Sequence, residues 1–291
     1  MSKKKANRSQ GSFLPFLLPA SIVLIAITIY PTIYGVWLSL NKMPVGGSGQ
    51  TFFVGLSNYW TLITSAEFRE SLLTTLIFVT GSVGLSFLVG FFLAIRLNKS
   101  FSGRTIYMAL FILPVVATPV VSGMMWKFLL DTEFGVINYV LGLVGIPSIA
   151  WLAHTNTAIF SVILVDVWQW SPFIMYLMLA AIGSLPKEVE EAAIVDGANR
   201  LQLWWTVNIP QLIPAIAAVL LIRLIDAFKA FDTILIMTQG GPGRATQVLN
   251  LTAYLIGFRY FNLGQAAALG ILILIVVILI SQSFTKLLQR D

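Results

Sequence analysis

The sequence predicts an all-α integral membrane protein that crosses the bilayer six times. Three observations lead to this fold class: 57% of the 291 residues are hydrophobic, only 10% are charged, and the apolar residues fall into six long runs. A run of about 20 apolar residues is long enough to cross the hydrocarbon core as a helix. Little of the chain remains for a separate water-soluble domain.

The positive charges predict the orientation of the chain. A net charge of +6 would suggest nucleic-acid binding in a soluble protein, but here basic residues flank apolar runs, as they do at the cytoplasmic ends of membrane helices. We therefore expect both termini in the cytoplasm, the lipid bilayer as the surroundings, and no nucleic-acid partner. Residues 1–12 form a cytoplasmic tail, and residues 13–291 form one membrane domain. The flanking basic residues are Lys3, Lys4, Lys5, Arg8, Lys286 and Arg290.

Spans one to three occupy the first half of the chain. Span one, Phe13–Leu40, is too long for the apolar region of a secretory signal, so it is a retained helix. The polar stretch Asn41–Ser71, with its GGSGQ turn, follows one crossing and lies outside. Span two is Leu72–Leu97, and the basic link 98–104 returns the chain to the inside before span three, Thr105–Leu130. The glycines of span two that suit close helix approach are Gly81, Gly84 and Gly90.

Spans four to six occupy the second half. The outside loop Asp131–Thr155 contains an amphipathic stretch, Phe134–Val144, that predicts a short surface helix. Span four is Thr157–Ile182, span five is Gln211–Met237 and span six is Leu263–Ile280. After span five, a turn-rich loop (TQGGPGRATQ) leads into an amphipathic stretch at 251–261.

Between spans four and five lies the acidic segment, residues 184–210, which contains Glu188, Glu190, Glu191 and Asp196. We predict a helix-turn-helix on the cytoplasmic side, with Pro186 in the first turn and Ser184 as its cap. Gly197 then permits a sharp turn, and a second short amphipathic helix ends at Pro210. Such a segment is either a surface for a water-soluble partner or an interfacial hairpin that links two spans.

Ionisable side chains inside span five form a second candidate site, because charges at this depth are costly and face a bundle interior or a watered cavity. The series comprises Arg223, Asp226, Lys229 and Asp232, whose first members are spaced i, i+3 and can pair in sequence. Two readings stay open. The charges lock the bundle as an ion-pair ladder, or they line a polar strip along a translocation path.

Aromatic residues accompany these charges and suit carbohydrate binding, in which rings stack on sugar faces while carboxylates and amides bind hydroxyls. Tyr and Trp are also common at membrane interfaces, so that alternative stays open. The candidates beside the charges of span five are Phe228 and Phe231, and those in span four are Asp166, Trp168, Gln169, Trp170, Ser171 and Tyr176.

Motifs for chemistry are absent from the sequence. There is no phosphate-binding loop, no H-E-x-x-H and no G-x-S-x-G. The chain has no cysteine, and its one histidine, His154, cannot build a metal cluster by itself. We expect no catalytic residue, no metal site and no cofactor in this chain.

The acidic segment resembles the EAA motif of binding-protein-dependent ABC importer permeases. The residues that carry this resemblance are Glu191-Ala192-Ala193, Asp196-Gly197-Ala198, Ile209-Pro210 and Pro214. Four further stretches are similar to the carbohydrate branch of these permeases, in particular to maltose-system and glycerol-phosphate-system subunits. They are YPTIYGVWLSL, Asn58-Tyr59, DVWQWSPF at 166–173 and DAFKAFDTILIMTQGGPG at 226–243. The extra N-terminal spans and large periplasmic loop of the enterobacterial maltose subunit are missing.

The resemblance implies a type I importer fold in the bacterial cytoplasmic membrane. It also implies two ATPase copies that bind ATP and Mg, a second and different permease subunit that forms a heterodimer with this one, an extracytoplasmic solute-binding protein and a carbohydrate-like substrate. The acidic segment would be a coupling loop that enters a cleft of the ATPase, with Glu190 or Glu191 paired to an arginine there. The implied coupling residues are Glu190, Glu191, Ala192, Ala193, Asp196, Gly197 and Ala198.

Two other functions are weighed against this one. An ion- or proton-coupled secondary carrier would use the charges of span five, but it would give the acidic segment no role. A membrane enzyme acting on lipid would need a nucleophile-base pair or a metal cluster, and neither is visible. Dependence on ATP separates the importer from both.

Overall fold

The computed structural model describes residues 14–43 and 50–288. The tail 1–12, most of the GGSGQ turn and Arg290 lie outside the described residues. The first half contains α1 (Leu14–Leu24), a π-helical segment (Ile25–Ile29), α2 (Tyr30–Ser39), β1 (Asn41–Lys42), β2 (Phe52–Phe53), α3 (Ser57–Thr64), α4 (Ala66–Leu97), α5 (Arg104–Val116), α6 (Pro119–Leu129) and α7 (Val136–Leu143). The second half contains α8 (Thr155–Gly183), α9 (Lys187–Val195), α10 (Arg200–Gln202), a π-helical segment (Leu203–Asn208), α11 (Ile209–Phe228), α12 (Asp232–Met237), α13 (Leu249–Tyr254), a π-helical segment (Leu255–Arg259) and α14 (Leu263–Leu288).

The predicted all-α membrane fold is confirmed. In the described part of the chain, five helices are long and apolar enough to cross a membrane, and a bent helix pair makes a sixth crossing if it is counted as one span. The five are Leu17–Ser39, Ala66–Leu97, Thr155–Gly183, Arg200–Phe228 and Leu263–Phe284. Strands β1 and β2 form a small antiparallel ladder in which Asn41 lies opposite Phe53.

Span three is not the continuous helix predicted over Thr105–Leu130. It consists of α5 and α6, which meet at an angle of 100°. Ala117 and Thr118 are extended between them, and the Thr118 hydroxyl accepts a hydrogen bond from the N–H of Val121 at 3.4 Å. Pro119 disfavours the helical conformation at Thr118 but suits the first turn of α6. The Thr-Pro pair therefore starts a new helix instead of bending an old one.

Span five also differs from its predicted limits of Gln211–Met237. The membrane helix begins at Arg200 and ends at Phe228, and the separate helix α12 follows after a break at 229–231. We expected the second helix of the acidic segment to end at Pro210, and this prediction is wrong, because the helix continues to Phe228. The chain passes Pro210 by widening into the π-helical segment 203–208, because proline has no N–H to donate and crowds the preceding turn.

Helices α4 and α8 pack closely along the centre of the bundle. A Cβ atom at Gly90 would lie 2.6 Å from the carbonyl oxygen of Ser171, and one at Gly81 would lie 3.0 Å from Cδ1 of Ile163. Gly90 and Gly81 thus allow the close approach that was predicted. Gly84 does not take part, since nothing lies within 4 Å of its added Cβ.

The short helix predicted in the loop after span three is confirmed, and the amphipathic stretch after span five is helical as well. Helix α7 occupies most of the expected stretch Phe134–Val144, and α13 with its π-helical extension covers 249–259. The loop that precedes α13 is tied to the start of α4, because Arg244 pairs with Glu70 at 3.1 Å and Gln247 donates to Glu67 at 3.0 Å. These contacts join the start of span two to the loop that precedes α13.

Candidate functional site

The first arm of the acidic segment is helix α9, as predicted. It ends in a Schellman motif, in which Gly197 has φ +87° and donates its N–H to the carbonyl of Ile194 at 3.0 Å. Ala198 donates to the carbonyl of Ala193, also at 3.0 Å. Positive φ is the conformation that glycine adopts without strain. Gly197 thus fixes the sharp turn that separates the two arms.

The predicted cap of α9 is wrong. The Ser184 hydroxyl donates to the carbonyl of Ala181 at 2.8 Å, at the end of α8, instead of accepting from α9. Pro186 occupies the N-cap position and makes no side-chain capping bond. Ser184 therefore ends one helix and leaves the start of the next uncapped.

The second arm starts from a well-formed cap. The Asn199 side chain accepts from the N–H of Gln202 and the Gln202 side chain accepts from the N–H of Asn199, both at 2.9 Å. This capping box starts the helix that runs without interruption to Phe228. Only Ala198 lies between Gly197 and the cap residue Asn199, so the turn is joined directly to the helix that forms span five.

The two glutamates considered for an arginine partner have different surroundings. Glu190 is half-buried and accepts a hydrogen bond from Nδ2 of the buried Asn208 at 2.6 Å. Glu191 is exposed, and its side chain has no hydrogen bond or ion pair within residues 14–43 and 50–288. Glu190 therefore holds the two arms together, whereas Glu191 remains free for another molecule.

The tip of the acidic segment exposes apolar side chains beside its charges. Val195 is 86% exposed and Ile194 is 58% exposed. Asp196 and Gly197 are exposed, and an added Cβ at Gly197 would meet nothing within 4 Å. Of the other implied coupling residues, Ala192 is exposed and Ala193 and Ala198 are half-buried.

A buried ion cluster joins spans two, four and five. The guanidinium of Arg223, which is 1% exposed, forms an ion pair with Asp166 and donates to the Ser82 hydroxyl at 2.7 Å. It also reaches Asp226 at 3.3 Å, so the predicted i, i+3 pair is confirmed. The further pair expected between Asp226 and Lys229 is absent from the described part of the chain, because α11 ends at Phe228.

Six of the predicted path residues line one cavity of about 190 Å³, here called the span-five cavity. It lies where α11 breaks and α12 begins, beside the start of α6. Trp170 also lies over Arg223, with the guanidinium carbon 5.5 Å from the ring centroid. The predicted residues in the lining are Asp166, Trp170, Asp226, Lys229, Phe231 and Asp232, and the others are Phe78, Pro119, Val162, Ala230, Thr233 and Ile234.

The other five candidates lie outside this lining and make contacts within the bundle. Trp168 packs edge-on against Trp126, and Phe228 belongs to the buried core. The Gln169 amide donates to the carbonyl of Ala117 at 3.0 Å, which satisfies a backbone group freed by the break in span three. The Tyr176 hydroxyl donates to the carbonyl of Met108, and the Ser171 hydroxyl donates to the carbonyl of Val167.

Sequence reasoning considered Arg223 and Asp166 separately and missed that they pair. It also missed Ser82, Asn208 and the contacts of Arg244, since these partners are distant along the chain. An acidic residue in span four and a basic residue in span five, here Asp166 and Arg223, are a signal in the sequence that the two could pair. A serine in span two, here Ser82, gives no such signal. His154 is exposed, and the described residues contain no group of three or more His, Cys, Asp or Glu that could hold a metal ion.

Comparison with known proteins relates this architecture to a family. The family model described as binding-protein-dependent transport system inner membrane component matches residues 86–291. The trehalose/maltose transport system permease protein of Thermococcus litoralis is 32% identical over 100% of this chain and 98% of that protein. A probable ABC transporter permease protein of Sinorhizobium fredii is 37% identical over 91% of this chain and 86% of its own length.

Two further comparisons concern solutes that carry acidic groups. The sn-glycerol-3-phosphate transport system permease protein of Yersinia pestis is 33% identical over 92% of this chain and 91% of that protein. The fold matches a chain of a bacterial ABC transporter involved in the import of the acidic polysaccharide alginate, with a TM-score of 0.83, 24% identity and coverage of 96% and 95% of the two chains. The alginate transporter is also known in complex with its alginate pentasaccharide-bound periplasmic protein.

The family match covers well over half of the chain, and the permeases from Thermococcus and Yersinia align with nearly all of it. The multi-pass helical fold agrees with the family match and with the similarity to these permeases. This chain belongs to the family of binding-protein-dependent transport system inner membrane components.

Proposed function

We propose that this chain is a permease subunit of an ATP-driven ABC importer for sugars or sugar-like solutes in the bacterial cytoplasmic membrane. The observation that carries the proposal is the construction of the acidic segment. Its exposed tip is held by a Schellman motif, a capping box and the Glu190–Asn208 hydrogen bond, and its second arm continues into span five. A rigid exposed tip on a membrane span suits the transfer of movement from a partner protein.

The partner that fits this tip is an ABC ATPase. Val195 and Ile194 offer apolar contact, and Glu191 offers a free carboxylate for an arginine. Two ATPase copies would bind ATP and Mg, so this chain needs no phosphate-binding loop and is not itself an enzyme. Both termini and the acidic segment then lie in the cytoplasm. We keep Glu190 to Ala193 and Asp196 to Ala198 as the proposed coupling residues. Among them, Glu190 holds the two arms of the segment together through Asn208.

The solute would pass along the span-five cavity, between this chain and a second permease subunit, after delivery by an extracytoplasmic binding protein. Carboxylates, an ammonium group and the three aromatic side chains Phe78, Trp170 and Phe231 meet there. The names of the relatives from Thermococcus and Yersinia favour a sugar or a polyol derivative. An ion-coupled carrier has no support among the relatives described above.

Uptake in proteoliposomes tests the proposal. The complete complex is reconstituted with ATP inside, and accumulation of labelled sugars is followed with the binding protein outside. Accumulation that requires both ATP and the binding protein supports the importer. Accumulation driven by a proton or sodium gradient without ATP contradicts it.

A further inference from the structure

The span-five cavity has more negative than positive charge. Asp166, Asp226 and Asp232 contribute three carboxylates to its lining, and Lys229 contributes the one ammonium group. Arg223 lies behind the wall and pairs with Asp166 and Asp226. With these two cations counted, one carboxylate remains in excess around the cavity.

The buried cation is not available to a solute. Arg223 is 1% exposed, and its guanidinium is engaged by Asp166, Ser82 and Asp226. By contrast, the Asp226 side chain is 41% exposed, and Asp232 and Lys229 are both exposed. The charged groups that a solute would meet are therefore two carboxylates and one ammonium group.

Among its charged hydrogen-bonding groups, the lining has the same bias toward acceptors. Ionised carboxylates only accept hydrogen bonds, and the Thr233 hydroxyl already donates to the carbonyl of Pro119 at 3.3 Å. Lys229 is the charged donor left at the surface of the lining. Acceptors complement the hydroxyl groups of a solute, whereas a phosphate or a carboxylate presents acceptors and negative charge. The faces of Trp170 and Phe231 offer apolar contact to a sugar ring.

We propose that the span-five cavity selects an uncharged, hydroxyl-rich solute and disfavours anionic solutes such as phosphate esters and uronates. Asp226 and Asp232 are the residues that set this selectivity. The inference rests on the proposed function, in that the cavity belongs to the solute path. Neutral sugars of the trehalose and maltose type fit it, and acidic solutes such as glycerol 3-phosphate and alginate do not.

The absence of cysteine from the sequence permits a direct measurement of the charge in the cavity. Ala230→Cys places one small reactive group in the lining. The assembled complex is treated with the cationic 2-(trimethylammonium)ethyl methanethiosulfonate and with the anionic 2-sulfonatoethyl methanethiosulfonate. Each rate is divided by the rate of the same reagent with 2-mercaptoethanol, which removes the intrinsic difference between the reagents.

We expect the normalised cation-to-anion ratio to be about tenfold above one, and to fall to one or below when Asp226→Asn and Asp232→Asn are added. The matched control is Glu133→Gln, an exposed carboxylate outside the cavity, which should leave the ratio unchanged. A ratio at or below one in the Ala230→Cys protein overturns the proposal. So does a ratio that the two Asp→Asn changes leave unaltered, or a cysteine that neither reagent reaches.

The measurement does not depend on uptake, so it separates the two proposals. A cation-favouring cavity in a complex without ATP-driven uptake would refute the importer and leave the charge of the cavity established. ATP-driven uptake with an anion-favouring cavity would refute the selectivity alone.

Discussion

Asn208 donates a hydrogen bond to Glu190 at 2.6 Å, although the two residues are 18 positions apart. Glu190 lies in the first arm of the acidic segment, and Asn208 lies in the second arm, one residue before α11. The bond therefore closes the segment across its turn. The two arms and the start of the membrane span form one body, which is the property that a mechanical coupling element requires.

Loss of this bond should weaken coupling without loss of the fold. We expect Glu190→Ala and Asn208→Ala each to lower uptake per ATP hydrolysed by about two- to fivefold, because a partly buried hydrogen bond contributes about 1 kcal/mol to holding the arms together. The double variant should be no worse than either single variant, since both remove the same contact. Glu188→Ala, an exposed neighbour, is the control. Additive losses in the double variant would mean that the two residues act separately.

Uptake should depend on Gly197 for two reasons: its positive φ, and the absence of a side chain where a partner protein packs. With φ at +87°, Gly197→Ala should destabilise the turn by about 1 kcal/mol, and Gly197→Asp adds a charged side chain where a partner packs. We expect reduced uptake for the first variant and loss of uptake for the second, with normal insertion in the membrane. Gly183→Ala is matched, because Gly183 is helical and has equally open surroundings. Full uptake by Gly197→Asp would contradict the coupling role.

Removal of one partner of the Arg223–Asp166 ion pair should destabilise the protein more than removal of both partners. Asp166→Leu leaves the buried guanidinium without its main partner, and we expect a loss of about 3–5 kcal/mol in stability. Arg223→Met in addition removes the stranded charge and should restore most of that loss. Thermal unfolding of the purified complex measures both variants. If the double variant is less stable than Asp166→Leu, the charges do not compensate each other as proposed.

Because α4 packs closely on α8, substitution of two glycines in α4 should have different effects on stability. Gly90→Ala would bring a Cβ to 2.6 Å from the carbonyl of Ser171, whereas Gly84→Ala meets nothing within 4 Å. We expect a loss of about 1–3 kcal/mol for the first substitution and no loss for the second. Thermal unfolding of both variants, side by side, checks this difference. Equal midpoints would mean that the two helices do not pack as described.

The stability of the loop that begins at Asp131 should depend on pH in the acid range. Its carboxylate accepts hydrogen bonds from the N–H groups of Phe134 and Glu133, both at 2.9 Å, and these lower the pKa of Asp131 below its usual value of 3.8. Since the pKa is lower in the folded loop, the stabilisation is complete above the usual value and is lost as pH falls through the lowered one. Amide exchange at Glu133 and Phe134, normalised for intrinsic rates, should show protection that decreases in that range. Protection that Asp131→Asn leaves unchanged would contradict this role.

The spans and the acidic segment were predictable because they depend on local sequence. Runs of apolar residues determine where the chain crosses the membrane, and the Asp196-Gly197 pair determines where the turn lies. Two of the errors in the limits of the helices lie at prolines. Pro119 starts a new helix after Thr118, whereas Pro210 is absorbed by a π-helical segment, and hydropathy does not separate these outcomes.

The contacts of the candidate site were less predictable because they join distant parts of the chain. The spacing of Arg223 and Asp226 indicated their pair, but Asp166 and Ser82 come from two other helices. Similarly, Glu190 and Glu191 are neighbours in sequence, and only the position of Asn208 distinguishes the bound one from the free one.

If the acidic segment binds an ATPase, the ATPase should co-purify with this chain. The tagged chain is expressed with its genomic neighbours, extracted in mild detergent and purified, and the proteins that accompany it are identified. We expect an ABC ATPase and a second membrane subunit, with the ATPase lost in a Glu191→Ala/Gly197→Asp variant and retained in Glu188→Ala. Recovery of the chain alone as a stable homogeneous species, or an ATPase that stays bound to the double variant, would contradict the role of the acidic segment in binding an ATPase.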